Sequence, residues 1–166
     1  MDALMERCSV RQFTGEPVSR EDLMTLMRAA MAAPSARNQQ PWEFFIIQDP
    51  ARIAQLRTFS PYAGPLDTAG AAIVVCANST RHLNLGYDLQ DCAAATQNLL
   101  IRAVELGLGT CWLGGYPVED RVEKLQQLLD PPEEILPLWV IALGHPAKAG
   151  KVLDKFREDR LHFEQW

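Results

Sequence analysis

The sequence predicts an α+β fold, a layered mixture of helix and sheet, on three observations. Short runs of strand-forming residues alternate with helical segments; one of those segments is much longer than the rest; and 48% of the 166 residues are hydrophobic against 22% charged. That length and balance suit one globular domain, residues 1–166, with a sizeable core.

The first secure helix begins at Ser19, which can cap free amides with Asp22 three residues on. It places Leu23, Leu26, Met27, Ala30 and Met31 on one face and stops at Pro34. After the loop Ser35 to Trp42, Glu43 to Gln48 reads as a strand, and Asp49-Pro50 opens a short helix with a cap and a first-turn proline. Ala71 to Ala77 is a buried strand centred on Ile73, Val74 and Val75. The long helix runs from about Asp88 to Leu106 and ends at Gly107. Its apolar and small residues, from Leu89 through Ala95 and Leu99 to Val104, cover more than the single stripe of a surface helix, so burial on several sides is expected. Thr110 to Leu113 follows as a strand, Val118 to Leu129 as an amphipathic helix and Leu136 to Leu143 as a fourth strand. The tail 147–166 mixes five Lys and Arg with Phe156, Leu161, Phe163 and Trp166. Those apolar groups want a surface, either their own domain or a partner subunit.

Several classes of function are disfavoured. A formal net charge of −5 gives no global pull towards nucleic acid or anionic lipid, so any bound phosphate must be held by a local cluster. Met1 to Cys8 is too weakly apolar for a signal peptide and no apolar run spans a bilayer, which leads to the expectation of a cytoplasmic protein with no membrane partner. Cys8, Cys76, Cys92 and Cys111 form no C-x-x-C pair and read as reduced core thiols. His82, His145 and His162 are scattered, without metal-ligand spacing, so no metal is expected. Ser35 lies in no G-x-S-x-G elbow, and Cys111 sits inside a strand, which makes hydrolase chemistry a poor fit.

Three segments carry candidate chemistry. In Arg7-Cys8-Ser9-Val10-Arg11 two guanidinium groups flank a hydroxyl, a pattern able to converge on a phosphate but equally suited to a solvated basic face. The loop from Ala33 to Trp42 is rich in small residues, amides and prolines; it either exposes backbone amides to a ligand or simply ties down its own turn. Gly107 to Gly115 begins like a dinucleotide fingerprint but lacks the third glycine and follows a helix, so a Rossmann site is rejected. Gly114-Gly115, ending a strand, either makes room for a flat ring against bare backbone or is a plain turn.

R-x-S-x-R, then P-S-x-x-N-x-Q-P-W, then Q-D-x-x-A-A-x-Q-N within Tyr87 to Asn98, G-L-G-x-x-W-L-G-G, Pro117-Val-Glu-Asp-Arg-Val, Ala142-Leu-Gly-His-Pro146 and the ending Arg160 to Trp166 occur in this order. Together they resemble the nitroreductase family of flavoproteins over essentially the whole chain.

The resemblance implies a three-layer sandwich with a central mixed or antiparallel sheet flanked by helices, assembled as an intertwined homodimer whose extension 147–166 reaches the partner subunit. It implies FMN as cofactor and NADH or NADPH as co-substrate. Arg7, Ser9 and Arg11 would bind the phosphate, ribityl chain or pyrimidine edge, with Cys8 contributing backbone. Pro34, Ser35, Ala36 and Asn38 would reach the flavin of the other subunit, and Leu113, Gly114 and Gly115 would line the ring face away from the substrate. A C-terminal cation would meet the phosphate, Lys155 fitting better than Lys151 or Lys148. No catalytic side chain is required, because flavin N5 carries the hydride and the Gly114 amide supports it. Some members carry glutamate where this chain has Gly114, and Arg37 is bulkier than usual, which bears on the choice of acceptor. The activity implied is reduction of nitroaromatics, quinones or similar conjugated acceptors by a ping-pong course. The alternative is a flavin- or nucleotide-binding sensor or carrier without turnover on the same fold.

Overall fold

The β-branched run Ile73-Val74-Val75, at the centre of a strand Ala71–Asn78 whose every residue is buried, makes β2 the middle of the molecule. In this computed structural model, which describes residues 2–81 and 83–166, β2 lies between β1 (Trp42–Ile47) and β4 (Ile135–Gly144), and β3 (Gly109–Gly114) closes the order β1-β2-β4-β3. All three pairings are antiparallel. The period of two along a strand sends Ile73 and Val75 to one face and Val74 and Cys76 to the other. Helices α2 (Arg20–Met31) and α4 (Leu85–Glu105) cover the first face through Leu23, Leu26 and Leu99; α3 (Pro50–Leu56) and α5 (Glu119–Leu129) cover the second through Ile53 and Leu125. The result is the expected three-layer sandwich.

Local chemistry explains most of the element boundaries. The Ser19 hydroxyl accepts from the Asp22 amide at 3.0 Å and starts α2, and Asp49 accepts from the amides of Ala51 and Arg52 to start α3. Two elements depart from expectation. Helix α4 begins at Leu85, three residues before Asp88, because the side chain of Asn84 accepts from the Tyr87 amide at 3.2 Å and caps the turn Leu85-Gly86-Tyr87. A four-residue helix α1 (Ala3–Glu6), capped by Asp2, occupies the charged amino terminus and packs on α4. His82 lies outside the described residues. From Asp91 to Val104 no residue of α4 is exposed, and Ala93, Ala94, Gln97, Ile101 and Val104 remain only half-buried, so the multi-sided burial read from sequence holds within one chain.

Pro137 sits inside a central strand, where it cannot donate to the ladder; the pairing accommodates it by a bulge in which Val75 faces Trp139, Cys76 faces Pro137 and Leu138 is left over. The freed Leu138 carbonyl accepts from the Tyr116 amide, which ties the end of β3 to β4.

All four cysteines are free thiols. Burial, with Glu43 adding to it, pushes the Cys76 thiol up to about 12. Burial and then Asp88 push Cys92 up as well, and burial raises Cys111. Raised thiols stay protonated and unreactive near neutral pH. A thiol reagent at pH 8 is therefore expected to modify half-buried Cys8 first and the other three only on unfolding. Equal rates for all four in the native protein would contradict this burial pattern. Among the described residues no helix is long and apolar enough to cross a membrane.

Candidate functional site

The segment after α1 is extended, and alternation decides what it presents. Val10 turns inward and is buried, while Ser9 and Arg11 on either side face out. Ser9 bridges in parallel to Thr110 at the start of β3, and the Val10 amide donates to the Thr110 carbonyl at 2.9 Å. Gly109 permits this approach, since a Cβ there would fall 2.8 Å from the Val10 side chain. Further on, Phe13 bridges to Pro146 and the Ala147 amide donates to the Gln12 carbonyl at 3.0 Å, so the start of the carboxyl-terminal tail is stitched to the same segment.

That stitching brings the cations together. Gly150 crosses directly over Cys8, where a Cβ would collide with the thiol sulfur. Lys151 and Lys155 then join Arg7, Ser9 and Arg11 around an open cleft of about 540 Å³. Asp154 also lines it, and its Oδ1 accepts from the Phe156 amide at 2.9 Å. The Arg11 guanidinium donates to the Ser9 carbonyl at 3.4 Å and partly offsets the upward push on the Cys111 thiol, so its charge is felt along β3. Lys151, with Lys148 and Arg11, also lines an adjoining cleft.

β3 leads away from these cations. From Thr110 to Gly114 is four residues, about 14 Å at the usual rise of an antiparallel strand. At its end Gly114 is exposed, and a Cβ there would meet nothing within 4 Å. Gly115 differs: it is buried, and a Cβ there would stand 2.6 Å from the Leu138 carbonyl oxygen and 3.0 Å from Leu125. Within the chain, Gly114 therefore offers open backbone, whereas Gly115 makes room for β4 and α5. Leu113 is buried on the α3/α5 side. One residue that sequence reading missed is Arg121 of α5, which donates to the Gly114 carbonyl at 3.0 Å and lies 5.3 Å from the Tyr62 ring centroid. Its segment entered the sequence reading only as part of Pro117-Val-Glu-Asp-Arg-Val, and the bond seven residues back to Gly114 depends on how α5 folds against the end of β3.

The loop holding Pro34, Ser35, Ala36 and Asn38 stands apart from this group. It precedes β1, on the sheet edge opposite β3, with two strands between them, or roughly 14 Å at normal strand spacing. Arg37, Asn38 and Gln40 all adopt left-handed φ, at 50°, 57° and 51°. The Asp91 carboxylate accepts from the Ala36 amide through both oxygens at 3.1 Å, and Ser35 Oγ accepts from the Gln40 amide at 3.0 Å. Helix α4 separates the two groups along its length. Asp91 holds the loop near one end, and Val104 lines a groove with Cys8 and Val10 near the other, about 20 Å away at 1.5 Å per residue.

The structure thus sets a cleft lined by four cations beside the start of β3 and bare glycine backbone at its end. The chain belongs to the nitroreductase family of FMN-dependent NAD(P)H oxidoreductases; the family model "Nitroreductase family" matches residues 4–66 and 61–145. It is 37% identical over 166 residues to a Methanothermobacter thermautotrophicus protein provisionally named NADH dehydrogenase/NAD(P)H nitroreductase, covering all of this chain and 87% of that one. Among solved structures, a provisionally named NADH oxidase from Clostridium acetobutylicum matches with TM-score 0.96 and 41% identity over 99% of this chain and 100% of that one. A provisionally named nitroreductase from Desulfovibrio desulfuricans, solved with FMN, matches with TM-score 0.86 and 31% identity over 99% and 95% of the two chains.

Proposed function

We propose that this chain is an FMN-dependent oxidoreductase that takes hydride from NADH or NADPH and reduces nitroaromatics, quinones or similar conjugated acceptors. The observation that carries the reading is the convergence of Arg7, Ser9, Arg11, Lys151 and Lys155 on one cleft, with the open backbone of Gly114 about 14 Å along β3. A phosphate suits the first and a flat ring the second, and the solved relative with bound FMN supports FMN as the ligand.

FMN, when bound, supplies the hydride chemistry at its N5. The chain's residues hold and polarise. Arg7, Arg11 and the two lysines would neutralise the phosphate, an arginine near the ring would favour negative charge there, and the Gly114 amide would be the donor for a ring nitrogen. Arg121, bonded to the Gly114 carbonyl, fixes the next peptide plane and with it the strand end.

The reading extends to a twofold dimer. Two strands of the sheet separate the Pro34 to Asn38 loop from the β3 edge, so a flavin held by Arg11 and Gly114 would have to cross the sheet to meet it; on this reading the loop serves the neighbour's flavin. The half-buried stripe on α4 and the exposed tail are suited to the contact: Phe156, Phe163 and Trp166 are 66%, 81% and 99% exposed in the single chain. A cytoplasmic setting fits four free cysteines.

Both nucleotide and acceptor would use the one open ring face, and reacting atoms must come within about 3 to 3.5 Å, so they take turns there. Adding NADH or NADPH to the flavin-loaded protein is expected to bleach its absorbance, and a quinone or nitroaromatic to restore it; reciprocal plots at fixed acceptor concentrations should be parallel. A flavin that binds but never bleaches would instead mark a carrier, and intersecting lines a separate nicotinamide pocket.

A further inference from the structure

We propose that Asp91 is a positioning residue of the flavin site: its buried carboxylate anchors the Ser35–Gln40 loop and holds that loop in the strained shape that meets the cofactor. The inference rests on the reading of the loop as part of an FMN site.

Three residues out of four, Arg37, Asn38 and Gln40, have left-handed backbone. Only asparagine tolerates that region readily; for the others it is strained and persists only where the surroundings over-determine it. The loop's own bonds are short-range: the Asn38 and Gln39 amides donate to the Ser35 and Ala36 carbonyls at 2.9 and 3.1 Å, the Gln40 side-chain amide donates to Asn38 Oδ1 at 3.0 Å, and the Gln40 backbone amide to Ser35 Oγ, so none of them ties the loop to the rest of the domain. An anchor from outside the loop is Asp91, 7% exposed, placed where the well-packed part of α4 begins and accepting the Ala36 amide with both oxygens. A buried carboxylate is costly unless hydrogen-bonded, so the bond constrains both partners: the amide satisfies the charge, and the charge fixes the start of the loop. Beyond Ala36 the chain turns outward, leaving Arg37 and Asn38 exposed for a ligand. Helix α4 also packs on the sheet, so this bond registers the loop to the domain core.

The test compares Asp91→Ala, Asp91→Asn and, as a control of general destabilisation, Leu99→Val, a fully buried change two turns further along α4. Two readouts are taken: amide hydrogen exchange of the FMN-free protein, and FMN binding by quenching of flavin fluorescence. In Asp91→Ala, exchange at residues 36–40 should quicken while the sheet stays protected, and FMN affinity should fall roughly ten- to hundredfold, the range for a lost hydrogen bond to a charged group. Asp91→Asn keeps one acceptor and should recover much of both, and Leu99→Val should change neither. Unchanged loop exchange in Asp91→Ala would overturn the anchoring role. Faster exchange with wild-type FMN affinity would overturn the link between loop and cofactor while leaving the flavin reading intact. Parallel losses in Leu99→Val would reduce the effect to general destabilisation and overturn the inference. Wild-type protein that takes up no FMN would bring down the flavin reading, and this inference with it, whatever the exchange pattern.

Discussion

Replacing Arg11 with alanine is expected to weaken FMN binding by about 1.5–3 kcal/mol, or roughly ten- to 150-fold, the contribution of a hydrogen bond to a charged group. The side chain is exposed, projects from a segment fixed to β3, and carries no ion pair among the described residues, so its loss should leave stability nearly unchanged. Isothermal titration of FMN into wild-type and variant protein, with thermal melts alongside, separates the two effects. Equal affinity would remove Arg11 from the site. The same variant tests the two-chain arrangement. Paired with a second chain in which Ser35 and Asn38 are made bulky, it should regain one tight site per heterodimer, because one intact arginine segment and one intact loop then face each other. No recovery would place the loop and Arg11 on the same flavin.

Gly115→Ala is expected to cost the fold about 1–3 kcal/mol, the usual range for overpacking, whereas Gly114→Ala should fall within about 0.5 kcal/mol of wild type. The two adjacent glycines differ because an added methyl meets the Leu138 carbonyl at 2.6 Å in the first case and open space in the second. The carbonyl cannot swing aside without breaking its bond to the Tyr116 amide, and the bulge around Pro137 leaves the strand little freedom to shift. Flavin binding should show the reverse order, with Gly114→Ala the more damaging, since its methyl would occupy the space offered to the ring. Chemical denaturation and FMN titration of both variants decide the matter; equal stability losses would mean that β4 yields at this point.

What was legible in the sequence follows the range of the interaction that creates it. Ser19 with Asp22, and Asp49 with Pro50, form caps within four residues, and the helices they open start where expected. The Val and Ile run of β2 announces a strand buried on both faces without help from its partners. The Asn84 cap was missed because Gly86 and Tyr87 dilute the apolar period just where α4 begins. At the site, the arginine segment, the loop and the Gly114-Gly115 pair were all readable as motifs. Their separation into a β3-edge group and a β1-side loop was not, because it depends on strand order. Nor was the inequality of the two glycines, which comes from a bulge 23 residues further along the chain, at Leu138. Asp91 was visible only as one letter of a pattern; its task, 55 residues from Ala36, is a product of the folded helix.

β3 is an edge strand, and an unpaired edge is a template on which other chains can aggregate. Here its beginning is hemmed by Ser9 and Val10, with the Val10 side chain seated in the notch left by Gly109. The residues that present the cations of the cleft are thus also the guard on the sheet's most vulnerable border. Arg7 and Arg11 cannot be moved by loosening this segment without baring strand backbone, so solubility itself presses the amino-terminal segment to stay where the ligand needs it.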